Sequence, residues 1–203
     1  MAGRNPWQKR VRTGPLRPVA LATAALLAGT LVTAGPASAG DLVGGRGGDG
    51  TGLTVGGRFA PASAGRTPAA VTYEPRLVPV GGWIRIQQKV DRRGTTVAVR
   101  VKGLAPGHAF GMHVHEKPCG ADPEAAGKHY QHVKDPRQVN AHNEVWLDFT
   151  TDRSGSAEAS AHHAWGLPAG AAGSVVLHRE QGGAGERVGC FTVPFGRFRT
   201  GVG

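Results

Sequence analysis

Apolar residues recur at every second position in short runs from Val71 onward, and turn-forming residues separate these runs. A period of two is typical of β-strands that bury one face. In residues 83–90 and 95–102 the in-phase apolar positions are Ile84, Ile86, Val90, Val97, Val99 and Val101. The intervening DRRG at residues 91–94 is a turn sequence, so these two runs predict a β-hairpin.

Five further runs predict strands, at residues 109–116, 143–150, 155–161, 174–179 and 189–193. No segment longer than a turn or two repeats at the 3.6-residue period of a helix. The 33 glycines and 14 prolines among 203 residues also argue against a helical bundle. Seven or eight short strands predict an all-β chain folded as an antiparallel sandwich or barrel.

The first 39 residues have the pattern of a secretory signal peptide. Basic residues without any acid precede an apolar run at residues 19–31. The small residues Ala37-Ser38-Ala39 that follow form a typical signal-peptidase cleavage site. A retained anchor is the alternative, although the run is shorter than the roughly 20 residues that span a bilayer. We therefore expect a secreted or extracytoplasmic protein of the cell envelope. Its mature chain would have a Gly-rich disordered linker at 40–70, one domain at 71–196 and a tail at 197–203.

The net charge of +10 falls to +5 when the first 39 residues are removed. The remaining basic residues form no block along the chain and are not interleaved with aromatic residues. This pattern does not support a nucleic-acid partner, although the positive excess would attract small anions. After cleavage, no segment of the chain would be inserted stably in a membrane.

The chain has two cysteines, Cys119 and Cys190. In an oxidising compartment they most simply form one disulfide, which in the chain-entropy model would contribute about 4 kcal/mol by closing a loop of about 70 residues. Metal ligation by the two thiolates is the alternative, but the pair lacks a CxxC spacing.

Histidines provide the strongest chemical signal. His113 and His115 are two residues apart in a predicted strand, so both imidazoles leave the same face of the sheet. His129 lies in a long insertion at residues 117–141, and His178 is out of phase with the core-facing residues of its own strand. Four imidazoles without a thiolate suit copper or zinc.

The segments GLAPGHAFGMHVHE, GKHY, SVVLHRE and GERVGC, taken in this order with Cys119, resemble the Cu/Zn superoxide dismutase family over residues 71–193. The resemblance implies an Ig-like Greek-key sandwich and the copper-dependent disproportionation of superoxide. It also implies a disulfide between Cys119 and Cys190 and a role for Arg187 in guiding the superoxide anion beside copper. The copper ligands that it implies are His113, His115, His129 and His178.

The chain departs from the family where zinc is bound. The position of the family's zinc-binding aspartate is Val145, and only eight residues separate His178 from Arg187, where the family has a longer charged loop. These departures resemble the copper-only members. A zinc site built from His129, His132, His142 and Glu144 is the alternative.

Without zinc, the second ring nitrogen of His129 needs another partner, and the candidates are Glu144 and Asp148, which alternate on one face of residues 143–150. His108, His162 and His163 are expected at the solvated surface beside turns. A noncatalytic copper-buffering protein remains the alternative function, because it could use the same four histidines. The sequence does not fix the oligomeric state.

Overall fold

The computed structural model describes residues 51–63 and 66–198. The predicted signal peptide, residues 40–50 and the last five residues lie outside this part. The described residues form one short 3₁₀ helix, Pro123–Ala126, and nine strands: β1 Thr51–Arg58, β2 Ala70–Thr72, β3 Trp83–Asp91, β4 Gly94–Lys102, β5 Ala109–His115, β6 Phe149–Thr150, β7 Ala157–His163, β8 Ser174–His178 and β9 Arg187–Thr192. None of this part is a helix of the length and apolarity that crossing a membrane requires.

The strands form two separate antiparallel sheets. One has the order β1-β3-β4-β7 and the other the order β2-β9-β8-β5-β6. Their inner faces enclose one apolar core, to which both sheets contribute fully buried side chains such as Ile84, Ile86, Phe110, Met112 and Leu177. The fold is therefore an antiparallel β-sandwich, which confirms the predicted fold class in its open rather than barrel form.

The predicted hairpin is confirmed as β3 and β4, which pair from Trp83 with Lys102 to Asp91 with Gly94. Gly94 has φ +127, and a Cβ built on it would lie 2.0 Å from the carbonyl oxygen of His163. Only glycine fits this turn, because both the backbone conformation and the close approach of β7 exclude a side chain.

The prediction of a disordered linker at residues 40–70 is wrong for residues 51–58. These residues form β1, whose eight positions all pair with β3. Leu53 and Val55 enter the core, and Gly57 allows the ring of Phe191 to approach its backbone. The Gly-rich composition suggested a flexible chain, but edge pairing satisfies the backbone and two apolar residues are enough to fix the register.

Two further predictions need correction. The run at 143–150 is a regular strand only at Phe149–Thr150, although the preceding residues also lie along β5 and bond to it, through Val114 N–H to Val145 O and Leu147 N–H to Met112 O. His163 is buried rather than solvated, with 8% of its surface exposed. It is the last residue of β7, and the two-residue period directs it inward.

Candidate metal centre

The candidate site lies between the outer face of the five-stranded sheet and the long insertion at residues 117–141. Val176 and Cys190 on this face pack with Ala126 of the 3₁₀ helix in a small second apolar cluster. The predicted disulfide between Cys119 and Cys190 is confirmed, and it joins the insertion to β9. The insertion is thus held against the sheet by a covalent bond and by buried apolar contacts.

The structure brings the four predicted histidines together. His113 and His115 leave the outer face of β5, where they are opposite Val176 and Ser174 of β8. His178 ends β8, beside a β-bulge, and His129 pairs with His115 through an isolated bridge. One ligand atom from each ring lies within 4.8 Å of the other three. His113, His115 and His178 are at most 3% exposed, so the cluster is nearly enclosed.

Each imidazole presents one nitrogen to the cluster and the other to an oxygen acceptor. The Nδ1 atoms of His115 and His178 lie 3.1 and 3.0 Å from the carbonyl oxygens of Gly127 and Gly185. A carbonyl only accepts, so these ring nitrogens carry the hydrogen and donate it. His129 Nδ1 lies 2.7 Å from a carboxylate oxygen of Glu144.

The opposite nitrogens then hold lone pairs that converge. His113 Nδ1 lies 3.2 Å from His129 Nε2, and His115 Nε2 lies 3.4 Å from His178 Nε2. Lone pairs this close repel one another unless a positive charge is shared between them. The donor set therefore fits a cation, and a set of nitrogen donors suits copper or zinc.

Burial keeps these rings neutral. Burial, with smaller contributions from positive neighbours that include Arg187, lowers the pKa of His115 to about 2 and that of His178 to about 4. Burial also lowers the pKa of His113. Neutral imidazole is the form that binds metals, so protons do not compete strongly for these nitrogens near neutral pH.

Two carboxylates orient the rings, and each serves a different histidine. Glu144, which is 1% exposed, accepts hydrogen bonds from His129 Nδ1, from Gln131 Nε2 at 2.9 Å and from Trp146 Nε1 at 2.9 Å. Burial alone would raise the pKa of Glu144, but these three donors outweigh it and lower the pKa. Of the two predicted candidates, Glu144 is thus the partner of His129.

Asp148 lies beside His113 instead: its Oδ1 is 3.1 Å from Nε2 of that ring, an ion-pair distance at which the ring N–H is not aligned for a hydrogen bond. The same carboxylate accepts backbone hydrogen bonds from Met112 and Gly182. These bonds fix it between β5 and the short segment that follows β8.

Arg187 lies on β9, opposite His178. Its guanidinium donates to the carbonyl oxygens of Pro123 at 2.9 Å and Gly127 at 2.7 Å, and it lies 3.3 Å from the exposed carboxylate of Glu124. The Gly127 oxygen also accepts from His115, so a single peptide group sets the position of Arg187 relative to the histidines. The arginine side chain is 14% exposed.

A cavity of about 610 Å³ opens onto the cluster. Its lining includes His129, Glu144 and Arg187, together with the cations Lys128 and Lys134 and the carboxylate of Glu116. Lys134 pairs with Glu116, whereas no carboxylate of the described residues pairs with Lys128. Arg187 is paired with Glu124, and the lining also includes the carboxylates of Asp135 and Glu144, so Lys128 is the cation of this lining without a carboxylate partner among the described residues.

The alternative zinc set is not assembled in the part of the chain that the structure describes. His132 stacks on Trp165, with ring centroids 4.7 Å apart, and His142 is exposed. Neither belongs to the group that contains His129.

Sequence reasoning missed three contributors to the site, namely Gln131, Trp146 and the Gly127 carbonyl. The available signal was spacing, because Gln131 and Trp146 each follow a site residue by two positions and so share its face.

The family model for copper/zinc superoxide dismutase matches residues 80–193, which is more than half of the chain. No curated protein sequence is significantly similar to this chain. Among solved structures, a SOD-like protein from Bacillus subtilis is similar in three forms. A point mutant of that protein has a TM-score of 0.42 and 19% identity, and the match covers 64% of this chain and 99% of the other. A double mutant has a TM-score of 0.39 and 20% identity, and the match covers 55% of this chain and 87% of the other. The protein without these mutations has a TM-score of 0.38 and 18% identity, and the match covers 62% of this chain and 97% of the other.

Proposed function

Because this chain belongs to the copper/zinc superoxide dismutase family, we propose that it is a copper-dependent superoxide dismutase that acts outside the cytoplasm. The observation that carries this proposal is the convergence of four imidazoles beside a fixed arginine, at the end of an open cavity. A structural histidine cluster would not need an arginine held between two carbonyl groups at its entrance.

In this proposal His113, His115, His129 and His178 would hold one copper ion. Copper, when bound, supplies the electron transfer that converts two superoxide ions and two protons into oxygen and hydrogen peroxide. Arg187 binds the anion and holds it beside the cluster, because its guanidinium is fixed by the carbonyls of Pro123 and Gly127. The cavity brings the small anion to the one histidine edge that is not enclosed.

Glu144 acts in this proposal as the fixed anion behind His129. It accepts the ring's outer hydrogen at 2.7 Å and is itself held by Gln131 and Trp146. A carboxylate in this position orients the ring and raises its basicity without a second metal. This geometry supports a copper-only site, with zinc not required.

The proposed location rests on the predicted signal peptide at residues 1–39. The disulfide between Cys119 and Cys190 supports it, because such bonds persist in oxidising compartments. Superoxide is the substrate that the family implies, and it is small enough for the cavity.

Copper titration and superoxide turnover test the proposal together. The metal-free protein should bind about one copper ion per chain, and His178→Ala should weaken binding and abolish turnover. Arg187→Ala should keep copper bound and slow turnover, because it removes only the anion-binding group. Turnover that His178→Ala leaves unchanged would exclude this site.

The second candidate is a noncatalytic protein that buffers copper with the same four histidines. It is supported by the burial of three of the rings, which leaves little of the cluster open. It predicts tight copper binding with negligible superoxide turnover. The wild type and Arg187→Ala should then have the same copper affinity, and both should be inactive.

A further inference from the structure

The solvent face of the four-stranded sheet carries a cluster of cations around a single tryptophan. Trp83 on β3 is paired directly with Arg58 on β1 and with Lys102 on β4. Two residues further along β3, Arg85 is paired directly with Arg100 on β4. We call these residues, Arg58, Trp83, Arg85, Arg100 and Lys102, the basic face.

The arrangement is unfavourable for the sheet on its own. Like charges in directly opposed positions, such as Arg85 and Arg100, destabilise a strand pair. Glu158 offsets the charge of Arg100 at 3.1 Å. No carboxylate of the described residues pairs with Arg58, Arg85 or Lys102, so three cations of the basic face are uncompensated. Folding of the sandwich does not explain this clustering.

Trp83 and the backbone hold these cations in place. The Arg85 guanidinium and the Lys102 ammonium lie 5.4 and 5.9 Å from the Trp83 ring centroid. Arg58 donates to the carbonyl oxygen of Gly81 at 2.9 Å. Side chains that are already ordered lose less entropy when a ligand binds, so the basic face is preorganised for anions.

Two cavities adjoin on the basic face. One, of about 510 Å³, is lined by Arg85, Arg100 and the carboxylates of Asp152 and Glu158, and the other, of about 370 Å³, by Arg58, Gly81 and Gly103. Both include Trp83 and Lys102 in their lining. Cations therefore line both cavities from Arg58 to Arg100, while Asp152 and Glu158 line only the larger one. A row of cations suits a chain with repeated negative charges better than a single compact anion.

We propose that the basic face binds an anionic polysaccharide, a polymer of carboxylated sugars outside the cell. Rows two residues apart on one face are separated by about 7 Å, so the basic face presents its cations at intervals along an extended ligand. Nonspecific binding of single-stranded nucleic acid uses several aromatic platforms. Here the one aromatic ring is already occupied by two cations.

The basic face lies on the opposite side of the sandwich from the histidine cluster, since the two sites use the outer faces of different sheets. Polymer binding would therefore leave the metal centre accessible. The inference does not depend on copper chemistry and stands apart from the proposed function.

Binding of the purified protein to polygalacturonate tests the proposal, with neutral dextran, duplex DNA and phosphatidylglycerol vesicles as comparison ligands. We expect saturable binding to polygalacturonate that weakens as NaCl rises, because the contact is electrostatic. The double variant Arg85→Gln with Lys102→Gln should weaken this binding at least about tenfold, since each cation near an anionic surface contributes about fivefold.

The matched control is Arg76→Gln with Arg137→Gln, which changes the net charge equally at two 88%-exposed side chains outside the basic face. It should bind the polymer nearly as well as the wild type. Melting temperatures should stay within a few degrees for both double variants, so that a loss of binding reports on the surface and not on folding.

Several results would overturn the proposal. Equal losses in the two double variants would show that only net charge matters. Binding that is insensitive to salt, or equally strong to dextran, would exclude an electrostatic site. Tighter binding to DNA or to vesicles than to polygalacturonate would assign the basic face to another class of partner. If the double variant Arg85→Gln with Lys102→Gln does not fold, salt-insensitive binding of the wild type to polygalacturonate would still contradict the proposal.

Discussion

The outward ring nitrogen of each histidine decides where its inward lone pair points. His115 and His178 donate to backbone carbonyls, so their orientation follows from the fold itself. His129 depends instead on the side chain of Glu144. This ring comes from the insertion rather than from the sheet, and it is the ligand whose position a single substitution could alter most.

We predict that Glu144→Gln weakens copper binding by about 10- to 100-fold, as removal of such supporting carboxylates does at other metal sites. His129 and Trp146 donate to one oxygen of the carboxylate and Gln131 donates to the other, so the amide would turn an NH₂ group toward one of these donors and would lack the negative charge that supports the ring. Competitive titration against a copper chelator measures the change. Glu116→Gln is the control, because it neutralises another carboxylate of the same cavity that contacts no histidine. Equal affinities in the two variants would remove Glu144 from the site.

His163 gives a prediction for pH. Burial lowers its pKa, and the nearby His162, His132 and His142 lower it further. The unfolded chain therefore binds a proton at a higher pH than the folded chain does. The contribution of His163 to stability is complete above the unfolded pKa, near 6.5, and is lost as pH falls below it.

The variant His163→Phe should make the free energy of unfolding fall less steeply between pH 7 and pH 5. The phenyl ring keeps the stacking on Trp165, which lies 4.1 Å away, and does not titrate. His132→Phe is the companion variant: His132 stacks on the same indole but is exposed, and because it lowers the pKa of His163 only as a neighbour, its loss should change the slope less than the loss of His163 does. Denaturant unfolding at several pH values measures the slopes. An unchanged slope in His163→Phe would contradict the assignment.

Which carboxylate serves which histidine could not be read from the sequence. The two-residue period correctly places Glu144 and Asp148 on one face. Their partners, however, depend on how residues 143–148 align with β5, and this register is fixed by bonds such as that from Leu147 N–H to Met112 O. The position of this contact is a tertiary property, so local pattern left both candidates open.

At the level of elements, the insertion at residues 117–141 contributes most to the site. Gly127 ends its 3₁₀ helix with φ +73 and ψ −154, a conformation that is essentially restricted to glycine. Its carbonyl receives hydrogen bonds from both His115 and Arg187. This backbone position therefore links the histidines to the proposed anion-binding group.

We predict that Gly127→Ala costs about 1–3 kcal/mol of stability through backbone strain and also weakens copper binding. Gly107→Ala serves as the control, because Gly107 also has a positive φ, +67, and a Cβ there meets nothing within 4 Å. It should lose about 1–2 kcal/mol and keep its copper affinity. Chemical denaturation and copper titration separate the two effects. Unaltered copper affinity in Gly127→Ala would contradict the proposed link.

A strand could be predicted from the sequence where apolar and polar residues alternate clearly along it. The hairpin of β3 and β4 follows directly from its alternating apolar residues and its turn. β1 was missed because only two of its eight residues enter the apolar core and four are glycine or arginine. Its stability comes from pairing with β3, which composition does not reveal.

For the whole molecule, the distribution of charge matters more than the net charge. The cavity that leads to the histidines is lined by Arg187, which is paired with Glu124, by Lys134, which is paired with Glu116, and by Lys128, with which no carboxylate of the described residues pairs. A small anion would therefore be steered by Lys128 before it reaches Arg187. The basic face on the other sheet lies too far from this cavity to share that role at physiological ionic strength.

We predict that Lys128→Ala slows the reaction with superoxide several-fold at low salt and flattens its dependence on ionic strength. Lys134→Ala should change both quantities little, because its charge is already compensated. Rates measured across a range of NaCl concentrations test the pair. Equal effects of the two substitutions would indicate that local pairing does not control the approach of the anion.

In the proposed site, one copper ion held by these four histidines without zinc is enough for catalysis. The most direct test is pulse radiolysis of protein loaded with one copper ion per chain after zinc has been removed. We predict superoxide decay approaching the diffusion ceiling, about 10⁹ M⁻¹s⁻¹, and slowing as ionic strength rises. Full copper occupancy with decay no faster than in buffer, or activity that appears only after zinc is added, would contradict the account.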